Sequence, residues 1–192
     1  MGIPIPRLAS GFALGSTNPN VSLDVFFDIQ CPHSKIAWPR ICELLDYYEG
    51  QSVGLRAHLI TLSNHRQAWD MSLGLFAFSG DNAQKFRDFV TYMFEHQNEF
   101  SNKAFEYKTH DDLRSLVADY AVDHGKVDRE EFLNRLTSHD VYIDARTPIR
   151  FAATRSVWAT PTFFINNADN VPVTFDSTIE DWIDTIDGLL NT

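Results

Sequence analysis

Apolar positions change period along the chain, and the changes mark its elements. Residues 1–20 are rich in Gly, Pro, Ser and Asn and read as an irregular lead-in. Val21–Phe27 is dense in β-branched and aromatic residues, which predicts a short buried strand. It ends at Asp28-Ile29-Gln30, and Cys31-Pro32-His33-Ser34 follows at once. Pro32 suits the first turn of a helix, where its missing N–H costs nothing. Ile36, Ala37, Ile41, Leu44, Leu45 and Tyr48 then recur at spacings of three and four, a helix closed by Gly50 with Pro39 as a kink inside it. Val53, Leu55, Ala57 and Leu59 alternate as a second strand. Two strands joined by a helix predict a parallel βαβ unit with a right-handed crossover.

Residues 64–146 carry helical patterns and no strand. Trp69, Leu73 and Phe76 form one face; Phe86, Phe89, Val90, Met93 and Phe94 form another. Thr109 is a candidate N-cap ahead of Leu113, Leu116, Val117 and Tyr120, with Gly125 as the stop. Asp128 with Glu131 opens a short helix holding Phe132, Leu133 and Leu136. Thr147-Pro148 predicts the N-cap and first turn of a helix running to about Ser156. Strand character returns at Thr162–Ile165, followed by a turn over Asn166–Asn170 and a second strand over Val171–Phe175, which Pro172 places at a sheet edge. Ser177 is the predicted cap of a last helix with Ile179, Ile183, Ile186 and Leu190 on one face and Glu180 at the capping-box position.

Composition narrows the picture. Fifteen Phe and four Trp in 192 residues supply a core and exclude general disorder. The net charge of −10, with no basic run, lacks the positive face that a nucleic acid or anionic membrane requires. No run reaches the ~18 apolar residues of a membrane span. Met1–Thr17 lacks the apolar stretch of a signal peptide, and Pro6 stands where myristoylation wants Ser or Thr. The expectation is a cytoplasmic protein, although a chain already freed of a leader reads the same way.

Two cysteines are too few for a disulfide scaffold or a thiolate zinc site. Cys31 stands where a buried strand meets a helix start. Backbone N–H groups and the macrodipole favour negative charge there, and the thiolate is the reactive form of sulfur. His33 is near enough in sequence to donate a hydrogen bond or positive charge. The competing reading is a cysteine packed as a small hydrophobe. Cys42 lies eleven residues along the same predicted helix. At ~1.5 Å per residue the two Cα atoms are about 16 Å apart, beyond the roughly 7 Å a disulfide allows, so Cys42 reads as a core residue. His58, His65, His96, His110, His124 and His139 show no ligand spacing, and no metal site is expected. The Phe-dense stretch over Phe86–Phe94, Phe100 and Phe105 reads as the core of the helical block, although a peptide groove would use the same residues.

Phe27-Asp28-Ile29-Gln30-Cys31-Pro32-His33-Ser34 resembles the active-site start of DsbA-type thiol-disulfide oxidoreductases, whose signature is Cys-Pro-His-Cys. Ala159-Thr160-Pro161-Thr162-Phe163-Phe164-Ile165-Asn166 resembles that family's cis-proline loop and following strand. The resemblance implies an α/β thioredoxin-like fold with an inserted all-helical subdomain. Residues 21–63 and 147–192 would form the thioredoxin-like part and 64–146 the insertion. It implies Cys31, Pro32, His33 and Ser34 as the catalytic motif. Thr160 and a cis Pro161 would lie beside the sulfur, where the loop binds an extended substrate. Ser34 replaces the resolving cysteine, so no cycle through an active-site disulfide is available. Ser34 could instead hydrogen-bond the thiolate. The implied enzyme is a monothiol oxidoreductase of reductase or isomerase type. Cys31 would form mixed disulfides with protein thiols or glutathione, the latter a co-substrate rather than a bound cofactor. Two other readings stand beside it. Kappa-class transferases and hydroxychromene-carboxylate isomerases share the fold and use glutathione, but their active-site start resembles Ser-Pro-Tyr-Ser. A non-catalytic module would keep the groove for peptides and bury Cys31.

Overall fold

In the computed structural model, which describes residues 5–169 and 171–191, apolar alternation and burial coincide in one sheet. Strands β2 (Val21–Phe27) and β3 (Val53–Leu59) pair in parallel, with Val21 opposite Val53 and Phe27 opposite Leu59. Helix α1 (Pro32–Tyr47) connects them. Both faces of this pair are covered at the C-terminal end of β2, where Val25, Phe26 and Phe27 are consecutively apolar and buried. Val25 and Phe27 join one core with Trp38, Ile41 and Leu44 of α1, and Phe26 joins Ile60, Ala152 and Phe164 in another on the opposite face.

Strand β1 (Phe12–Gly15) adds antiparallel to β3, and β4 (Thr162–Ile165) adds antiparallel to β2, giving the order β1-β3-β2-β4. β1 corrects the expectation of an irregular lead-in. Phe12 and Leu14 are buried and Ala13 and Gly15 exposed, a period-two pattern too short to stand out among the neighbouring Gly and Ser residues. Residues 1–4, which hold Gly2 and Pro4 of the lead-in, and Asn170 of the predicted turn lie outside the described residues.

The helical block holds α2 (Ala68–Ser79), α3 (Ala83–Glu95), α4 (His110–Gly125) and α5 (Arg129–Leu136), and α6 (His139–Thr154) leads back to the sheet. α3 buries Phe86, Phe89, Val90, Met93 and Phe94, the face its spacing predicts. Thr109 and Asp112 form a reciprocal capping box on α4, and Asp128 accepts from the Glu131 N–H at 2.8 Å to start α5. α2 differs from expectation. It packs against α3, α4, α5 and α6, so Met71, Leu75 and Ala77 are buried along with Phe76, while Trp69 and Leu73 are only half-buried. A Cβ on Gly74 would overlap Val117 of α4, so close helix packing requires glycine there.

Three further expectations are corrected. α6 starts at Ser138, whose Oγ accepts from the Val141 N–H at 3.3 Å. Thr147 and Pro148 lie inside it, and Thr147 Oγ1 donates back to the Ile143 carbonyl at 2.8 Å. The buried residues Val141, Ala145 and Ala152 carry one apolar stripe through this position, and that packing outweighs a local start signal. Val171–Phe175 is not a strand; β4 is followed only by an isolated bridge between Ile165 and Ala168. Pro172 has no N–H to contribute. Thr174 is drawn into a local turn, its N–H donating to Ser177 Oγ at 2.9 Å and its hydroxyl to Asp176 Oδ1 at 2.6 Å. With Ser177 used there, helix α7 (Ile179–Leu190) is capped one residue later by Thr178 and Asp181. Among the described residues, no helix is long and apolar enough to cross a membrane.

His58 of β3 is fully buried and stacks on Phe26 at 4.4 Å. Burial holds its imidazole below the ordinary value of 6.5, although a hydrogen bond to Asp24 pulls the other way. Unfolding returns the ring to water. Below about pH 6.5 the unfolded chain therefore takes up a proton that the folded chain refuses. The expected result is full stability above that pH and a melting temperature that falls as pH drops through the lower folded value. Melts of wild type and His58→Asn across pH 8 to 5 test this; a wild-type loss no steeper than the variant's would contradict it.

Candidate functional site

The register of β4 on β2 builds the site. Thr162 lies opposite Phe26, which carries Pro161 and Thr160 to the end of β2, where the chain turns into α1. Cys31 is the N-cap residue of α1. Its N–H donates to the Asp28 carbonyl at 3.0 Å, and its own carbonyl accepts from Lys35 N–H at 3.1 Å. The S–H donates to the Thr160 carbonyl at 3.3 Å across 129 residues of sequence. The Thr160–Pro161 peptide is cis. Thr160 Oγ1, on the residue whose carbonyl meets the sulfur, is buried without a hydrogen-bond partner. Cys31 itself is 4% exposed. Trp158, two residues before Thr160, is 84% exposed and is the largest apolar side chain presented to solvent near the loop.

The structure thus brings Cys31, Pro32, Thr160 and Pro161 together. It uses the other two motif residues differently from expectation. His33 is exposed, and its ring stacks on Phe175 at 4.3 Å. Ser34 is buried, and its Oγ accepts from the Asp28 N–H at 3.3 Å, so the hydroxyl supports the loop backbone. Cys42 is half-buried on α1, its carbonyl held by the Arg87 guanidinium at 3.2 Å. Burial pushes the Cys42 thiol up from its ordinary range against the lowering effect of Arg87, which makes it a poor nucleophile.

A polar network beneath the loop escaped the sequence reading. Asp28 is fully buried. Its Oδ1 accepts from the Gln30 N–H at 2.8 Å, and its Oδ2 accepts from the Leu62 N–H at 2.7 Å and meets His65 Nδ1 at 2.8 Å. Gln97 Nε2 donates to the Ile29 carbonyl at 2.9 Å and the Cys31 carbonyl at 3.0 Å. Gln30 Nε2 donates to Gln67 Oε1 at 2.8 Å and Asn102 Oδ1 at 3.0 Å. The helical block therefore fixes the loop that leads into Cys31 through the side chains of Gln67, Gln97 and Asn102. A cavity of about 250 Å³, lined by Gln30, Pro32, His65, Gln97 and Asn102, opens at its edge. Buried amides drawn from three separate segments leave no linear motif. The one local signal was a polar pair, Asp28 and Gln30, bracketing Ile29 immediately before Cys31.

The remaining histidines are packed or paired. His58 meets Asp24, His110 meets Asp70 at 2.7 Å, and His96 and His124 lie against Tyr92. Among the described residues, no cluster of three or more His, Cys, Asp or Glu side chains forms a metal-binding group.

Residues 22–183 match the family model described as a DSBA-like thioredoxin domain. No curated protein matches the sequence. Among solved structures, a putative protein-disulfide isomerase from Pseudomonas syringae is similar with a TM-score of 0.79, at 16% identity over 92% of this chain and 97% of the other. BdbD from Bacillus subtilis, in its oxidised form, is similar with a TM-score of 0.73, at 19% identity over 98% of this chain and 100% of the other. A periplasmic thioredoxin-like protein from Salmonella enterica serovar Typhimurium is similar with a TM-score of 0.66, at 15% identity over 95% of this chain and 91% of the other. The expectation of a cytoplasmic protein is corrected here: one of these structural neighbours is described as a periplasmic protein.

Proposed function

From the premise that the chain belongs to the DSBA-like thioredoxin family, whose members are thiol-disulfide oxidoreductases, we propose that it is a monothiol reductase or isomerase. It acts through Cys31 and mixed disulfides with protein thiols or glutathione. The observation that carries this reading is the contact of Cys31 sulfur with the Thr160 carbonyl beside the cis peptide, combined with Ser34 in the first turn of α1.

The chemistry runs as two exchanges. The Cys31 S–H gives its proton to solvent and the sulfur attacks one sulfur of a substrate disulfide. The S–S bond of the substrate breaks, one substrate thiolate leaves and takes up a proton, and a mixed disulfide remains on Cys31. The N-terminus of α1 meets the negative charge on sulfur. Thr160 and Pro161 bind the extended substrate backbone. Ser34 has no sulfur, so a second thiol must break the mixed disulfide. Glutathione serves as that co-substrate, and the substrate's own second thiol serves in isomerisation.

One observation favours a non-catalytic peptide-binding module instead: Cys31 is 4% exposed. Turnover separates the readings. With a small disulfide as substrate, reduction is expected to depend on added glutathione. Without an external thiol the chain is expected to stop at one mixed disulfide on Cys31; release of both substrate thiols per chain with no external thiol would contradict the monothiol cycle, and no reaction under either condition would favour the binding module. Ser34→Cys is a second test. Residues three apart in a first helical turn lie within disulfide reach, and Ser34 is already buried at that spot. The variant is expected to close a disulfide with Cys31 and to turn over without accumulating mixed disulfide. Persistence of two free thiols under oxidising conditions would count against the assigned geometry.

A further inference from the structure

Away from the thiol site, three side chains form a continuous hydrogen-bonded chain. Ser10 Oγ lies 2.8 Å from His58 Nδ1, and His58 Nε2 lies 2.8 Å from Asp24 Oδ1. They come from the segment before β1, from β3 and from β2, so no sequence motif announces them. The His58 ring is fully buried, stacked on Phe26 at 4.4 Å and tilted against Phe151 at 5.0 Å, which leaves it one orientation.

That orientation sets the proton order. A carboxylate only accepts, so the Asp24 contact places the ring proton on Nε2. Nδ1 then presents its lone pair to Ser10, and the Ser10 hydroxyl donates into it. The array is a serine hydroxyl aimed at an unprotonated imidazole nitrogen whose other nitrogen is held by a carboxylate. Compared with the familiar serine-hydrolase array the two ring nitrogens are exchanged, but either nitrogen can accept the proton.

Ser10 also lines a cavity of about 310 Å³ whose apolar wall includes Leu8, Phe12, Phe76 and Pro148. Arg56 reaches the same place, donating to the Ser10 and Gly11 carbonyls at 3.2 Å each. Gly11 has φ +79°, and a Cβ there would come within 2.7 Å of His58 Nδ1. Glycine is therefore what lets Ser10 close onto the ring. We propose that Ser10, His58 and Asp24 form a second nucleophilic site, one that takes small neutral esters with an apolar acyl group and is acylated at Ser10 Oγ.

The step balances with water as the only co-reactant. His58 Nδ1 takes the Ser10 proton as Oγ attacks the ester carbonyl. The carbonyl–alkoxy bond breaks, and the same proton passes to the leaving alkoxide. Water, deprotonated by the same nitrogen, then releases the carboxylic acid and restores Ser10. Ser10 and His58 are the catalytic residues. Asp24 is a positioning residue that fixes the tautomer, and Arg56 supplies positive charge at the cavity wall. Asp81 and Asp144 in the same wall oppose an anionic substrate.

The test is labelling of the full chain with an alkyl fluorophosphonate, which phosphonylates activated serine, followed by peptide mass mapping. The expected result is one adduct per chain on Ser10, absent in Ser10→Ala and unchanged in Cys31→Ala. His58→Gln is expected to slow labelling by about 100-fold or more. Asp24→Asn is expected to slow it and to move its pH profile, a readout that a purely structural clasp would not move, and it decides the matter should His58→Gln fail to fold. An unlabelled Ser10 in the wild-type chain overturns the proposal. So does a labelling rate that neither variant alters while the melt shows a folded protein.

Discussion

Cys31→Ala is expected to lower thiol-disulfide exchange by about 1,000-fold or more, to the background of free glutathione. The size of the effect follows from there being no substitute thiol. The only other cysteine, Cys42, lies eleven residues further along the chain on α1 and packs against the core. Burial pushes its thiol up, out of the range where thiolate is plentiful at neutral pH. Stability should change far less. The variant loses one sulfur and one S–H···O contact to the Thr160 carbonyl, a cost of about 1–2 kcal/mol. A glutathione-dependent reductase assay with a parallel urea melt checks both halves. Retained activity would move the chemistry away from Cys31; lost activity with a lost fold would make Cys31 a packing residue.

Asp28→Ala is expected to cost about 3 kcal/mol of stability or more, since it strips the acceptor from buried donors at about 1–3 kcal/mol each. The carboxylate is fully buried and receives the Gln30 and Leu62 N–H groups and His65 Nδ1. Removing it leaves those donors without an acceptor in a place water reaches poorly, and unmade buried bonds are costly. The effect also reaches function, because Asp28 anchors the residues that lead directly into Cys31. Asp28→Asn should be milder: its amide oxygen can still accept, but its NH₂ faces donors. Chemical denaturation of the three proteins gives the order wild type, Asn, Ala. A loss below about 1 kcal/mol in the Ala variant would show that the loop is held by its other bonds.

The parts of the fold that were legible in sequence are those where one period ran long enough to dominate. β2, α1 and β3 carry it, and so does α3, whose five apolar residues at helical spacing are all buried. The capped starts of α4 and α5 were legible because Thr109 and Asp128 act on their own nearest N–H groups. Failures came where tertiary packing overrode a local signal. Thr147-Pro148 looks like a helix start, but a buried stripe runs through it. Val171–Phe175 looks like a strand, but Thr174 is bonded into a turn and Pro172 cannot pair. β1 is four residues long and depends on β3 for its partner. The two ends of the site, Cys31-Pro32 and Thr160-Pro161, were visible as motifs because each is contiguous. The network under them was not: Asp28, Gln30, Gln67, Gln97 and Asn102 become one structure only when the helical block folds onto the loop. His33 shows the same limit, since its partner Phe175 lies in a segment expected to be a strand.

The most direct test of the central claim, that Cys31 attacks disulfides and cannot release itself, is a trapping measurement. The reduced chain is mixed with excess peptide disulfide and no free thiol, then weighed intact and mapped. One peptide per chain is expected, attached to Cys31, stable until reduced glutathione is added and then released. No adduct on Cys31, or an adduct that clears without added thiol, would contradict it.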